Sequence, residues 1–204
     1  MYRIFGKRLL DMFFSALGLI ILSPLFPLVA LLIKLDSMGP VFFRQKRMGQ
    51  GGQLFYLLKF RTMISDKQKE ANGFEPGSFQ RVTRVGKFLR KTKLDEIPQL
   101  VNVLIGDMSL VGPRPEVERY SNFYSEKFAD VLSVRPGITD SASIKYRNEE
   151  QILSQSHDPQ KTYQEIILPD KLEIARAYVK SNVSFWGDVH IIAQTFLSIL
   201  KGGQ

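Results

Sequence analysis

The pattern of hydrophobic and polar positions changes character near residue 35. From Met12 to Ile33 the chain runs 22 residues without a charge, interrupted at its middle by Ser23-Pro24 and again by Pro27. The length matches the ~20 apolar residues that cross a bilayer. The interruption argues against a simple crossing, because proline lacks a backbone N–H and collides with the carbonyl four residues earlier. Pro24 disturbs the bond to Ile20, and Pro27 the one to Ser23. In hydrocarbon such a break persists only where neighbouring groups satisfy the freed backbone. Arg3, Lys7 and Arg8 precede the run, and Lys34, Arg44, Lys46 and Arg47 follow it. Short flanks rich in Lys and Arg stay in the cytoplasm, and here both flanks are of that kind. Each half is about eleven residues, or about 16 Å of helix, enough for one leaflet. The pattern predicts a re-entrant helix-break-helix segment over residues 1–35 that turns at Ser23-Pro24, in preference to a kinked spanning helix. No small-x-small site follows the stretch, so a cleaved signal peptide is not expected.

Beyond residue 35 the periods are those of a globular chain. Residues 41–45 and 54–60 read as strands joined through Gly49-Gln50-Gly51-Gly52, a β-hairpin. Those glycines are a turn and not a phosphate loop, since neither Lys-Ser/Thr nor a helix follows. Residues 65–78 are polar and read as a surface loop. Residues 84–90 place Val85, Phe88 and Leu89 on one side of a short amphipathic helix. A second helix is expected from Thr92 to Gly106, with Thr92 and Asp95 at capping-box spacing and Pro98 close enough to its start to be tolerated. Residues 116–131 have a helical pattern between two turns, 112–115 and 135–139. Helices are also expected over 170–179 and 185–200. The last carries Trp186, Val189, Ile192, Phe196 and Ile199 along one stripe, which either seals the core or lies on a membrane surface, the core being preferred. The predicted fold class is α+β, helix-dominated with a small β-hairpin, residues 36–204 forming a single cytoplasmic domain packed on the membrane segment.

Composition narrows the partners. A chain of 204 residues with 44% hydrophobic positions has enough apolar material for a sizeable core. A net charge of +8 and a pI near 9.7 call for anionic partners: phospholipid, phosphorylated substrates or nucleic acid. The absence of cysteine excludes disulfides and thiolate metal sites and agrees with a cytosolic location. His157 and His190 are too few and too far apart in sequence to favour a zinc site.

The chemistry centres on Lys93-Leu94-Asp95-Glu96-Ile97-Pro98. Acidic residues in a first helical turn are common for stability alone. Here Arg81, Arg84, Lys87, Arg90, Lys91 and Lys93 precede the pair, and such a run is usually a solvated face or a contact to anionic lipid. Cations around two carboxylates also suit a reaction on phosphate. Carboxylates are hard ligands for Mg²⁺, which takes one or two of them plus phosphate oxygens. An aspartate can also act as a nucleophile through an aspartyl-phosphate. Arg114, fixed between Pro113 and Pro115, is either a plain surface turn or a pre-ordered fork for a phosphate. Lys59 and Arg61, which end the second strand, and Arg135, Lys145 and Arg147, near the third Pro-Gly turn, are further phosphate-binding candidates.

These segments together resemble the bacterial sugar transferases that start glycan assembly on a lipid carrier, the monotopic polyprenyl-phosphate phosphoglycosyl transferases of the PglC and WcaJ type. The resemblance rests on Lys7-Arg8-Leu9-Leu10-Asp11, Leu22-Ser23-Pro24, Gly39-Pro40-Val41-Phe42-Phe43-Arg44-Gln45, Lys59-Phe60-Arg61-Thr62-Met63 and Arg81-Val82-Thr83-Arg84-Val85-Gly86. It continues through Leu94-Asp95-Glu96-Ile97-Pro98-Gln99-Leu100, Asn102-Val103, the run from Gly106 to Pro115, and Arg135-Pro136-Gly137-Ile138-Thr139. It implies that residues 36–204 are a cytoplasmic phosphoglycosyl transferase domain at the bacterial inner membrane, in the minimal form of the family.

The resemblance further implies that Asp95 attacks the sugar-bearing phosphate of a UDP-sugar, releasing UMP. A polyprenyl phosphate, typically undecaprenyl phosphate, then takes the sugar-1-phosphate. Glu96 would ligate Mg²⁺. Arg114, with Pro113 and Pro115 about it, and Lys59, Arg61, Arg90 and Arg147 would steady phosphates, and Ser23-Pro24 would shape the membrane turn. Two stretches depart from the common form: Asp140-Ser141-Ala142-Ser143 follows Pro-Gly-Ile-Thr where many relatives have Gly-Trp or a similar apolar pair, and the stretch beyond it, with Asn148-Glu149-Glu150 and Ile167-Leu168-Pro169-Asp170-Lys171, also differs. That leaves the central chemistry intact and the sugar open. A rival reading is a membrane-anchored binding protein that uses its basic face. No recognised nucleic-acid motif is present, and nucleic acid is not an expected partner. A non-catalytic scaffold and a homodimer are left open.

Overall fold

The computed structural model describes residues 2, 6–64, 81–124 and 127–201. The expected loop over 65–78 lies outside the described residues. Two apolar helices open the fold, α1 (Lys7–Leu22) and α2 (Leu25–Asp36), bent from one another by 62°. The bend falls at Ser23-Pro24, where the Ile20 carbonyl loses its helical donor. Ser23 replaces it twice, with its hydroxyl at 2.8 Å and its backbone N–H at 3.4 Å. No single helix among the described residues is long and apolar enough to cross a membrane.

The two helices are built into the rest of the chain. Arg8, Asp11, Ser15 and Gly18 recur at helical spacing along one face of α1. Arg8 donates to the Val103 and Leu104 carbonyls, and Asp11 accepts from the Ser109 hydroxyl and the Leu110 N–H. The opposite face leaves Leu9, Phe13, Ile20 and Ile21 exposed. From α2, Val29 and Ile33 enter a core with Phe60 and Leu89. Phe26 packs edge-on against Phe60, which stacks on Phe42 at 5.4 Å.

The hairpin is present: β1 (Phe42–Met48) pairs antiparallel with β2 (Leu54–Phe60), Phe42 opposite Phe60 and Met48 opposite Leu54. On the edge that β1 does not cover, β2 is bonded by a side chain. Asn102 accepts from the Leu58 N–H at 3.0 Å and donates to the Tyr56 carbonyl at 2.8 Å, standing in for a third strand. Helix α3 (Arg84–Thr92) follows, N-capped by the Thr83 hydroxyl on the Gly86 N–H. A Cβ on Gly86 would lie 2.0 Å from the Thr62 carbonyl oxygen, so glycine alone permits this approach to the end of the hairpin.

The continuous helix expected from Thr92 does not form. Thr92 ends α3, its hydroxyl donating back to the Phe88 and Leu89 carbonyls, so it caps nothing downstream. Lys93 takes a left-handed conformation at φ 59°, and a single 3₁₀ turn (Leu94–Glu96) leads through Pro98 into α4 (Gln99–Ile105). Residues 116–131 also differ. They hold two 3₁₀ stretches, Glu118–Phe123 and Ala129–Ser133, whose Tyr120 and Val131 reach the same core without a common helix. The turn expected at 135–139 contains a strand, β4 (Gly137–Thr139), which pairs in parallel with β3 (Ser109–Val111). Here Gly137 lies against Gly112 so closely that a Cβ on Gly137 would meet the Gly112 nitrogen at 2.1 Å.

The C-terminal half is helical: α5 (Ser141–Lys145), α6 (Glu149–Ser154), α7 (Pro159–Thr162), α8 (Leu168–Ala177) and α9 (Phe185–Lys201). A π-helical turn (Tyr163–Ile167) joins α7 to α8 just before Pro169, where a proline disrupts regular α-helical bonding. In α9 the expected core stripe is met only in part: Ile192 packs on the core and Ile199 is half-buried, but the other three positions are exposed. Trp186 is 77% exposed and Phe196 64%, whereas Asp188 and Ile191 are buried. The inward face is chosen by Asp188, which accepts from Tyr2, Lys7 and Tyr178 and so ties the first helix to the last.

Replacing Asn102 with alanine leaves the Leu58 N–H and Tyr56 carbonyl without their side-chain partner. Each unmet buried group costs about 1–3 kcal/mol. Asn102→Ala is expected to lower stability by about 2–5 kcal/mol in denaturant unfolding. A change below 1 kcal/mol would show that the hairpin does not depend on this edge.

Candidate active site

The break at Lys93 is what presents the carboxylates. A left-handed non-glycine residue costs about 1–3 kcal/mol and persists only where the surroundings impose it. It turns the chain out of α3, so that the 3₁₀ turn carries Asp95 and Glu96 into a cavity of about 1680 Å³. Both carboxylates are nearly inaccessible, at 5% and 8% exposure. Lys59, from the end of β2, donates to Glu96 Oε1 at 2.7 Å. Arg114 approaches from the other side, Nη2 to Oε1 at 2.6 Å and Nη1 to Oε2 at 3.4 Å.

Arg114 is held by backbone on both flanks. The Gly137 N–H donates to the Pro113 carbonyl at 2.9 Å, and the Arg47 guanidinium to the Pro115 carbonyl at 3.0 Å. The Arg114 N–H itself donates to Asp140 Oδ2 at 3.0 Å, while Asp140 Oδ1 caps α5 on the Ser143 N–H at 2.7 Å. Asp140 belongs to a segment that departs from the common family form, and sequence reasoning gave it no role. Asp140 followed by Ser141-Ala142-Ser143 is a readable N-cap, and that was the available signal. Lys93 carried no comparable mark, because a lysine gives no hint of positive φ.

Electrostatics separates the two neighbouring carboxyls. Burial alone would raise Glu96, but Arg114 and Lys59 outweigh it and hold its pKa well below the ordinary 4.5. Asp95 goes the other way: burial raises it, more than the charge of Lys59 lowers it. Lys59 is itself lowered by burial, against the pull of Glu96. Asp95 Oδ1 is buried without a hydrogen-bond partner among the described residues. One carboxylate has two cations on a single oxygen, and its neighbour keeps an oxygen without a hydrogen-bond partner among the described residues.

Of the other candidates, Arg90 stands on the cavity wall. Its Nε donates to the Thr62 hydroxyl at 3.0 Å and its Nη1 to Glu150 at 2.7 Å. Arg147 lines the cavity and reaches the Ile199 carbonyl at 3.4 Å. Arg61 also lines the cavity, and it is fastened from outside it. Its guanidinium donates to the Ser37 and Met38 carbonyls at 2.6 and 2.7 Å, clasping the end of α2 to the hairpin, because those carbonyls lack helical donors. Arg135 likewise donates to the Gly106 carbonyl, and Lys145 pairs with Asp170. Ser23 and Pro24 sit at the bend between α1 and α2. For a divalent cation, Glu96 Oε2 has only the long Arg114 contact and Asp95 Oδ1 has none, so the donor set fits an ion that takes one or two carboxylates plus phosphate oxygens. No group of three or more potential ligands occurs among the described residues.

The family described as bacterial sugar transferase matches residues 2–202. The chain belongs to that family. Among its relatives, a UDP-N-acetylgalactosamine-undecaprenyl-phosphate N-acetylgalactosaminephosphotransferase of Aeromonas hydrophila is 37% identical over 201 residues, covering 97% of this chain and 44% of the relative. A UDP-glucose:undecaprenyl-phosphate glucose-1-phosphate transferase of Caulobacter vibrioides is 45% identical over 142 residues, 68% of this chain and 53% of the relative. The Escherichia coli protein of that same description is 36% identical over 204 residues, 96% of this chain and 40% of the relative. The chain thus spans about half the length of these curated relatives. The buried pair Asp95 and Glu96 and the arginine at Arg114 are therefore features of a sugar transferase chain.

The two cations on Glu96 have a measurable consequence. Because its folded pKa is depressed, ionised Glu96 contributes stability above its unfolded value, lost as pH falls through the folded one. Lys59→Met removes one of the cations and should raise the Glu96 carboxyl toward the ordinary range in a carbon-13 NMR titration. A Glu96 that titrates unchanged would show that Arg114 alone sets it.

Proposed function

We propose that this chain transfers a sugar-1-phosphate from a UDP-sugar to a polyprenyl phosphate, with Asp95 as the nucleophile. The observation that carries the reading is the carboxylate of Asp95 on the wall of a cavity shared with Lys59, Arg90 and Arg114, with one of its oxygens free of hydrogen bonds among the described residues. A carboxylate oxygen of Asp95 attacks the sugar-bearing phosphorus of the donor, an O–P bond forms, and the bond to UMP breaks, the electron pair leaving with UMP. A phosphate oxygen of the lipid then attacks the same phosphorus, the aspartyl bond breaks, and the carboxylate returns with a polyprenyl-diphosphate sugar as product. Splitting the transfer in this way lets one site serve two substrates in turn. The cavity exceeds the ~300–1,000 Å³ usual for one small ligand, which suits two. Glu96 orients Lys59 and Arg114, and through Oε2 it would hold Mg²⁺, which supplies positive charge to the transferring phosphate. The activities of the relatives named above, each on a UDP-sugar and undecaprenyl phosphate, support both substrates and glycan assembly on a lipid carrier as the setting.

The membrane part of the proposal rests on the bent helix pair. If α1 crossed the bilayer upright, its face carrying Arg8, Asp11 and Ser15 would draw α4 and β3 into hydrocarbon with it. Set symmetrically on an interface, helices bent by 62° and of these lengths reach only about 9–12 Å below it, within one leaflet of about 15 Å. Both ends then remain on the basic, cytoplasmic side of the inner membrane, facing anionic phospholipid. The exposed Trp186, Phe196 and Leu200 of α9 suit the same interface. This seats Asp95 where a lipid phosphate arrives.

Incubated with UDP-glucose or UDP-N-acetylgalactosamine, Mg²⁺, detergent and undecaprenyl phosphate, the protein is expected to release UMP. Without the lipid it should gain the mass of one sugar phosphate. Asp95→Asn should abolish both while remaining folded; undiminished UMP release by that variant would remove Asp95 as nucleophile. The re-entrant reading has its own check, since the chain has no cysteine. Gly6→Cys should resist a membrane-impermeant maleimide in intact cells and react after lysis. Labelling in intact cells would establish a crossing instead.

A further inference from the structure

A second polar cluster faces the same cavity and has no part in the transfer just described. Lys171, on α8, is only 9% exposed and forms an ion pair with Glu149, the first residue of α6. Its ammonium lies 5.1 Å from the centre of the Tyr163 ring and 5.9 Å from that of Tyr146. Tyr146, Glu149, Tyr163 and Lys171 all line the cavity that holds Asp95. Tyr163 is fixed from behind, its hydroxyl donating to Glu116 at 2.8 Å. A lysine–glutamate pair with a buried lysine and a half-buried glutamate is a costly way to join two helices, and apolar residues of similar volume would often serve stability as well or better. The Lys171 ammonium has three donors, and Glu149 is its hydrogen-bonding partner among the described residues. The Ser143 hydroxyl, on the same wall, is buried without a partner there.

We propose that Glu149, Lys171 and Tyr146 form the subsite that recognises the hexose of the donor and sets which UDP-sugar is used, a proposal that rests on the transfer reaction above. Adjacent ring hydroxyls donate to a carboxylate and accept from an ammonium, which this pair offers side by side. The Tyr146 ring offers an apolar surface to the C–H face of the sugar. The carboxylate of Glu149 makes the lobe unsuited to another phosphate. Its position agrees with a group attached directly to the transferring phosphorus: the next residue, Glu150, holds Arg90, whose charge is felt at Asp95. The lobe also adjoins the segment beginning at Asp140, which orients Arg114. Ribose hydroxyls of the nucleotide have the same chemistry, so the test must separate the two.

The test compares kcat/KM for UDP-glucose, UDP-galactose, UDP-N-acetylglucosamine and UDP-N-acetylgalactosamine, together with inhibition by UMP, in the unmodified protein and two variants. Glu149→Gln should reduce kcat/KM for the preferred donor about tenfold or more, the loss of a hydrogen bond to a charged group. It should change the least favoured donor by less than about threefold and leave UMP inhibition within that margin. The exchange Glu149→Lys with Lys171→Glu restores the ion pair between α6 and α8 while inverting donors and acceptors. It should keep the thermal midpoint and still alter the donor ranking. An unchanged ranking in the exchanged protein, or a uniform loss across all donors, would make the pair structural and overturn the proposal. Equal weakening of UMP inhibition would assign the lobe to the nucleotide and overturn it too. Absence of UMP release from every donor by the unmodified protein would instead remove the transfer reaction itself.

Discussion

Glu96 is held ionised although it is almost wholly buried, and Lys59 and Arg114, which both reach it, make that possible. A buried carboxylate with one cation removed carries an uncompensated share of its desolvation cost, commonly about 3–5 kcal/mol for a broken buried pair. Three separate parts of the chain must therefore meet at one carboxylate: the end of the hairpin, the 3₁₀ turn after Lys93, and the Pro113-Arg114-Pro115 segment. Each has its own fastening. Asn102 bonds the open edge of β2, the left-handed Lys93 directs the turn, and the Gly112–Gly137 contact with Asp140 fixes Arg114. Among the described residues, the site is thus a meeting of short elements, each fastened by its own contacts.

The apolar helix pair is fastened to the same elements. Val29 and Ile33 of α2 share a core with Phe60, the residue next to Lys59, and with Leu89 of the helix that ends at the site. Arg61 clasps the end of α2 from the other side. Along α1, Asp11 bonds β3, the strand that leads into Gly112 and Arg114. If the pair lies in a membrane as proposed, its depth is transmitted through packed side chains to the carboxylates. A lipid phosphate presented at fixed height then meets a nucleophile at fixed height, with no moving arm between them.

What the sequence revealed, and what it hid, divides along the range of the interactions. The hairpin, the short helix after Thr83 and the break at Ser23-Pro24 were legible because turn glycines, the spacing of Val85, Phe88 and Leu89, and prolines all act over a few neighbouring residues. The strands Ser109–Val111 and Gly137–Thr139 were not, since three residues are too few to show a period and their pairing spans a long stretch of chain. Aromatic spacing over 116–131 mimicked a helix, although its side chains reach the core from two separate turns. In α9 the apolar stripe suggested an inward face, but Asp188, with Tyr2, Lys7 and Tyr178 to bond, turns that face so that Ile192 stays inward while Trp186 and Phe196 are exposed. At the site, Asp95, Glu96, Lys59 and Arg114 were foreseen together through family resemblance. Arg61 was foreseen in a phosphate role, yet its guanidinium is engaged with carbonyls at the end of α2, a partner that no local pattern announces.

Two adjacent carboxyls of nearly equal intrinsic acidity are driven apart by their surroundings, and this asymmetry suits a two-step transfer. A nucleophile neutralised by cations on both oxygens would have little electron density to offer a phosphorus. A nucleophile far from any cation would face an anionic donor with nothing to reduce the repulsion. Glu96 resolves the conflict by engaging Lys59 and Arg114 itself, so they stay near the reaction without occupying Asp95. Burial then leaves Asp95 a stronger base than an exposed aspartate, and its carboxylate is the group best placed to form the bond. Exchanging the two residue types would not exchange the roles, because these follow from which carboxyl the cations reach.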